Sequence, residues 1–200
     1  MKARARTLSV DEYSAAEKAF AMVFQSKDPR DAPLTPAMGW RALWYPVSLG
    51  LDLDPAHVQA VVAAAQAVHD DAFFVWAPVT NPAAQDDPKY RWVVPTSAPE
   101  TYSEIRFALD VQNAHYSPKG RWGILFSYED HAVVGGPAEF VETLFRSLKL
   151  TDDESVRAFL DRWKDDRRSL GVSLDWIERF LTHLYGRSRA QHWLKESGVS

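Results

Sequence analysis

Two short runs hold most of the side chains suited to acid–base work, and neither makes a full catalytic set. His69-Asp70-Asp71 puts an imidazole and two carboxylates where a helical stretch runs into a strand. A metal held there needs at least one more ligand from elsewhere, and the sequence names none. A histidine at a helix C-terminus is favoured by the helix dipole in any case. Glu129-Asp130-His131 falls at a hairpin tip, with His115 just before the same hairpin. These residue types can serve as a general acid–base group, and the two histidines are expected to approach across strands. No nucleophile or oxyanion donor accompanies them, and loop tips also collect polar residues simply because they are solvated.

Other chemistries are excluded more simply. The chain has no cysteine, which removes thiol nucleophiles, disulfide frameworks and cysteine-based zinc sites. No phosphate loop, dinucleotide glycine pattern, H-E-x-x-H or G-x-S-x-G occurs. Gly135-Gly136 would be a weak anion cradle and reads as a tight strand-to-helix turn. The expectation is a non-enzymatic protein with no metal and no cofactor. A ligand pocket or small-molecule enzyme at His115, Glu129, Asp130 and His131 is the alternative.

The net charge of −4 is unevenly spread. Residues 50–110 hold 3 Lys+Arg against 9 Asp+Glu, whereas residues 1–49 hold 7 against 5 and residues 111–200 hold 13 against 13. An acidic middle third repels nucleic acid and attracts a basic protein. Asp70, Asp71, Asp86 and Asp87 are the carboxylates expected to form that partner-binding face. The basic cluster Lys164, Arg167, Arg168 is broken by Asp165 and Asp166 and reads as a solvated helix end. No apolar run approaches the roughly 20 residues of a membrane span, and the basic start lacks an apolar core behind it. Both point to a cytoplasmic protein.

The elements that must position these groups follow from spacing. Ser9 with Glu12, and Thr151 with Glu154, are capping boxes, and Asp54-Pro55 is an N-cap followed by proline at the first turn. Helices are thus expected near 10–25, 55–69, 137–148, from 152, from 173 to Gly186, and around Trp193. Phe73–Ala77 and Tyr90–Val94 are strand candidates. Gly39–Pro46 is ambiguous, and periodicity does not settle residues 100–109. Ser117-Pro118-Lys119-Gly120 is a turn. After it Trp122, Ile124, Phe126 and Tyr128 share one strand face, and His131–Val134 pairs back as a hairpin. Most of the eight tryptophans belong to the core, with Trp176 a candidate interface anchor. Strands clustered between helices give an α+β class: a central antiparallel sheet with helices packed on it over residues 1–150, and a helical extension over 151–200.

The run Ser117-Pro118-x-Gly120-x-Trp122-Gly123, then His131-Ala132-Val133-Val134-Gly135-Gly136 and an amphipathic helix with Phe140, resembles small bacterial immunity-type proteins that accompany polymorphic or contact-dependent toxins. It covers residues 113–145. The resemblance implies a protein partner, a toxin domain neutralised by occlusion, and carries over no catalytic residue.

Overall fold

The computed structural model describes residues 3–47, 53–77, 90–105 and 112–199. Asp86, Asp87 and the stretch 106–109 lie outside them. The described residues form an α+β fold around one antiparallel sheet of seven strands. In chain order these are β1 (Arg6–Thr7), α1 (Val10–Val23), β2 (Trp40–Trp44), α2 (Pro55–Ala67), β3 (Ala72–Trp76) and β4 (Arg91–Pro95). A 3-10 helix (Pro99–Glu104) follows, then β5 (Asn113–Tyr116), β6 (Gly123–Phe126), β7 (Ala132–Gly136) and α3 (Ala138–Leu148). The C-terminal helices are α4 (Asp152–Leu170), α5 (Asp175–Tyr185) and α6 (Arg187–Ser197). Spatial order is β1-β4-β3-β5-β6-β7-β2.

The sheet is covered on both faces, so its strands are apolar on both sides. On one face Phe73, Val75, Trp122, Ile124 and Phe126 pack with α2 and α3. On the other, Phe74, Trp76, Tyr116 and Leu125 pack with α1 and α4–α6. The C-terminal helices therefore share a core with the first helix and the sheet.

Both capping boxes form. Ser9 and Thr151 accept from the third helical N–H, while Glu12 and Glu154 reach back to the cap. Pro55 sits in the first turn of α2 behind Asp54, whose carboxylate accepts from the His57 N–H at 2.8 Å. That helix stops earlier than its periodicity suggests, because His69 takes a left-handed φ of 58° and the Asp70 N–H turns back to Ala65 O.

Trp40–Trp44, ambiguous in sequence, is the edge strand β2. Its inner edge pairs with β7 from Trp40↔Gly136 to Trp44↔Ala132. Its outer edge is closed by side chains from α4 and α5. The Leu43 N–H donates to Tyr185 Oη at 2.7 Å, the Tyr45 N–H to Ser155 Oγ at 3.1 Å, and Ser155 Oγ returns to Tyr45 O at 3.1 Å. Tyr185 in turn donates to Asp152. Gly135 and Gly136 do not make the strand-to-helix turn expected of them. Both lie in β7, and a Cβ on either would strike Leu34 or Trp122 at 2.8 and 2.7 Å. They permit close packing rather than a bend.

Trp122 is fully buried, as its place in the strand pattern requires. It stacks on Phe140 at 4.2 Å, and its indole N–H donates to Asp70 Oδ2 at 2.9 Å. Tyr128, expected on the same face, lies past the end of β6 and is exposed. Trp122→Ala is expected to cost about 3–5 kcal/mol, the range for emptying a large aromatic site. Trp122→Phe should cost about 1–3 kcal/mol, because it removes a donor from a buried carboxylate. Urea unfolding of both variants measures this, and an alanine variant as stable as wild type would contradict the packing described.

Candidate functional site

The carboxylates expected on one partner-binding face do not share one. Asp70 is 2% exposed. Its Oδ2 accepts from Ser117 Oγ at 2.7 Å and Trp122 Nε1 at 2.9 Å, and its Oδ1 from Arg121 Nη2 at 2.8 Å, with Lys119 Nζ at 3.1 Å. Burial alone would push the carboxyl up, but the four donors outweigh it and hold it below its ordinary value. A charge so enclosed binds the chain to itself. Asp71 is exposed at the start of the turn into β3. Asp86 and Asp87 lie outside the described residues.

The second expected group is divided by the sheet. His115, on β5, faces the α2–α3 side, where its Nε2 lies 3.1 Å from Tyr102 Oη among Phe73 and Phe126. Its Nδ1 is buried without a partner. His131 faces the opposite side, between Phe159, Trp176 and Phe180 of α4 and α5, with its own Nε2 unpartnered. The two rings cannot approach across strands, because side chains on opposite faces are separated by the sheet itself. Burial depresses both, to about 3 for His115 and about 4 for His131. A general base working near neutrality needs a value near the ambient pH, so both rings are neutral packing groups.

Glu129 is tied to Arg30 at 3.2 Å, and burial holds its carboxyl above the ordinary value. Asp130 takes a left-handed φ of 61°, and its carbonyl accepts from the Val47 N–H. Trp176, expected as an interface anchor, instead packs internally against Trp163, Phe159 and Phe180. Among the described residues no three His, Asp or Glu side chains gather to hold a metal ion, and no helix is long and apolar enough to cross a membrane.

An acidic concavity does exist elsewhere in the acidic third. A cleft of about 560 Å³ opens between the N-terminus of α2 and the 3-10 helix. Leu53, Val58, Pro99 and Tyr102 give it an apolar floor, and Asp54 and Glu100 stand on its two walls. Glu100 is exposed and has no ion-pair partner among the described residues. Neighbouring Glu104 is neutralised by Arg4 at 2.8 Å. His115 stands behind Tyr102 and stiffens the floor through the phenol. A cationic side chain suits this shape, with its methylenes on the apolar lining and its charge at Glu100. Sequence reading gives Asp54 only a capping role and leaves Glu100 in the unsettled stretch 100–109. The signal it had was the charge count of the segment; the pairing of the two walls needs the fold.

Comparison of the chain with protein-family models, curated proteins and solved structures finds no match.

Three histidines make the fold acid-sensitive. His183, whose Nε2 accepts from the Leu34 N–H at 3.2 Å, is also depressed, to about 4, by burial and then by Arg41. Each folded value lies below the unfolded one. The unfolded chain therefore binds more protons as pH falls through about 6.5, and stability present above that pH is lost toward about 3–4. His115 and His131 each contribute up to about 1.4 kcal/mol per pH unit across that window. Glu129 and Asp152, raised by burial, oppose this near the acidic end. The urea midpoint should drop between about pH 7.5 and about pH 5. His131→Phe should flatten that dependence by one proton's worth. An unchanged slope in the variant would show that His131 titrates normally.

Proposed function

We propose that this chain is a non-enzymatic binding protein that neutralises a basic protein partner by occlusion, in the manner of the immunity-type proteins it resembles. The observation that carries the reading is the cleft between α2 and the 3-10 helix, whose apolar floor and unpaired Glu100 suit a lysine or arginine side chain. The partner class is a toxin domain with a basic active-site surface, such as one that handles nucleic acid, met in the cytoplasm. An acidic face raises the encounter rate with such a surface, and the cleft fixes the register once contact is made. The catalytic alternative has less support, because the histidines and carboxylates it would use are neutral, paired or on opposite sides of the sheet.

Co-expression with the product of a neighbouring toxin-type gene tests this, using wild type, Glu100→Lys and Asp165→Lys. The last two change net charge equally, yet Asp165 is exposed on α4, which packs on the opposite face of the sheet from the cleft. Wild type should rescue growth, Glu100→Lys should bind about tenfold or more weakly, and Asp165→Lys should protect nearly as well as wild type. Association should slow with added salt, as exposed charges are screened beyond about 8 Å at physiological ionic strength. Equal protection by wild type and Glu100→Lys removes the cleft mechanism. Absence of protection by wild type removes the immunity reading.

A further inference from the structure

A second surface, of opposite chemistry, adjoins the C-terminal end of α2, whose N-terminus borders the acidic cleft. Five large apolar side chains are well exposed among the described residues, and two of them, Met22 at 55% and Trp40 at 53%, line one open groove of about 800 Å³. Thr35–Gly39 forms its floor, with Gly120, Arg121, Gly136 and Pro137 on its far wall. Isolated exposed apolar residues need no explanation, whereas a tryptophan and a methionine facing one concavity form a patch.

The groove is built, not incidental. Gly120 has a left-handed φ of 65°, and a Cβ there would stand 2.7 Å from the Met22 Cβ. The turn 117–120 is thus drawn directly against the methionine. Thr35 Oγ1 donates to Met22 O at 2.8 Å, fixing the floor to α1. Trp40 is held at the end of β2 opposite Gly136, which offers no side chain to cover it.

The charged side chain that lines it is Arg121. Lys119 and Arg121 share the single buried carboxylate of Asp70. Arg121 spends only Nη2, on Asp70 and Val68 O, which leaves Nε and Nη1 available on a side chain that lines the groove. Lys18 is exposed one helical turn before Met22 and one residue short of a turn before Ala21, both lining residues. It has no ion-pair partner among the described residues. Residues four apart on a helix share a face, so Lys18 stands on the same side of α1 as Met22, one turn nearer the helix N-terminus.

We propose that the Trp40–Met22 groove is a docking site for an acidic segment of a partner protein, one that seats an apolar side chain between Trp40 and Met22 and presents carboxylates to Arg121 and Lys18. Charge complementarity selects this occupant. A basic segment would meet like charge at Arg121 and Lys18, and a second copy of the chain, which could offer exposed Val10 beside Asp11, is the competing occupant that the test resolves. The proposal is independent of the acidic cleft, since it uses none of the same residues.

The probe is a synthetic peptide with leucine flanked by aspartate and glutamate, titrated into 15N-labelled full-length protein while the indole N–H of Trp40 is followed by NMR. Two control peptides replace the carboxylates with lysine or the leucine with serine. Only the acidic leucine peptide should shift the Trp40 signal saturably. Trp40→Ala and Lys18→Glu should each weaken it about tenfold or more, with both variants still folding cooperatively, because Lys18 is exposed and Trp40 lies at the outer end of β2. Glu100→Lys should leave it unchanged, which separates this site from the cleft. Equal binding of the lysine peptide, no saturable binding of any peptide, or an unaltered affinity in Trp40→Ala would overturn the proposal. So would concentration-dependent self-association of wild type that Trp40→Ala abolishes, since the groove would then serve a second copy.

Discussion

Asp70 is the charge around which this structure is arranged. Moving a carboxylate out of water costs several kcal/mol, and removing one partner of such a buried charge is usually worse than never having buried it. Here the cost is met by a hydroxyl, an indole, a guanidinium and an ammonium, all from the six residues Ser117 to Trp122. A single side chain at the end of α2 thereby fixes the turn before β6. It also sets the orientation of Trp122, and through Trp122 the stacking on Phe140 that seats α3. The same bonds hold Arg121 and Gly120 where they wall the Met22 groove. Structure and binding surface meet in one carboxylate.

That role explains where sequence reading succeeds and where it fails. Caps, turns and amphipathic helices are local, so Ser9 with Glu12, Thr151 with Glu154, and the Ser117–Gly120 turn can be recognised from neighbours a few residues away. The hairpin register is legible because Trp122, Ile124 and Phe126 alternate. Strand β5 is harder to read, since its four residues are all buried, which erases alternation, and β2 runs from exposed Trp40 and half-buried Arg41 into a buried Ala42–Trp44. His115 and His131 look like partners in the sequence, yet nothing local reveals that a sheet lies between them. Asp70 looks like surface acidity next to Asp71 for the same reason. Its donors sit about fifty positions further on, and no local pattern links the two.

The two candidate surfaces divide the chain's charge in a way its net value hides. The cleft below α2 presents the carboxylate of Glu100 beside an apolar lining. The Trp40 groove presents the guanidinium of Arg121 beside another. In each, apolar area supplies contact while charge at the rim selects the partner, the usual division between the core and the rim of an interface. Such an arrangement suits a protein whose work is recognition, and the neutral, enclosed histidines add rigidity rather than chemistry.

The closing of β2 by Ser155 and Tyr185 also constrains the order in which the chain can be made safe. The strand is synthesised early, but the groups that occupy its outer edge lie 110 and 142 positions later. Until they emerge from the ribosome, Leu43 and Tyr45 offer open backbone donors on an apolar strand, a template for pairing with other chains. A stalled or prematurely terminated product lacking α4 and α5 would therefore be a seed for aggregation, even with the rest of its sheet assembled. Edge protection in this molecule is a property of the finished polypeptide, and its quality control falls to whatever attends the ribosome.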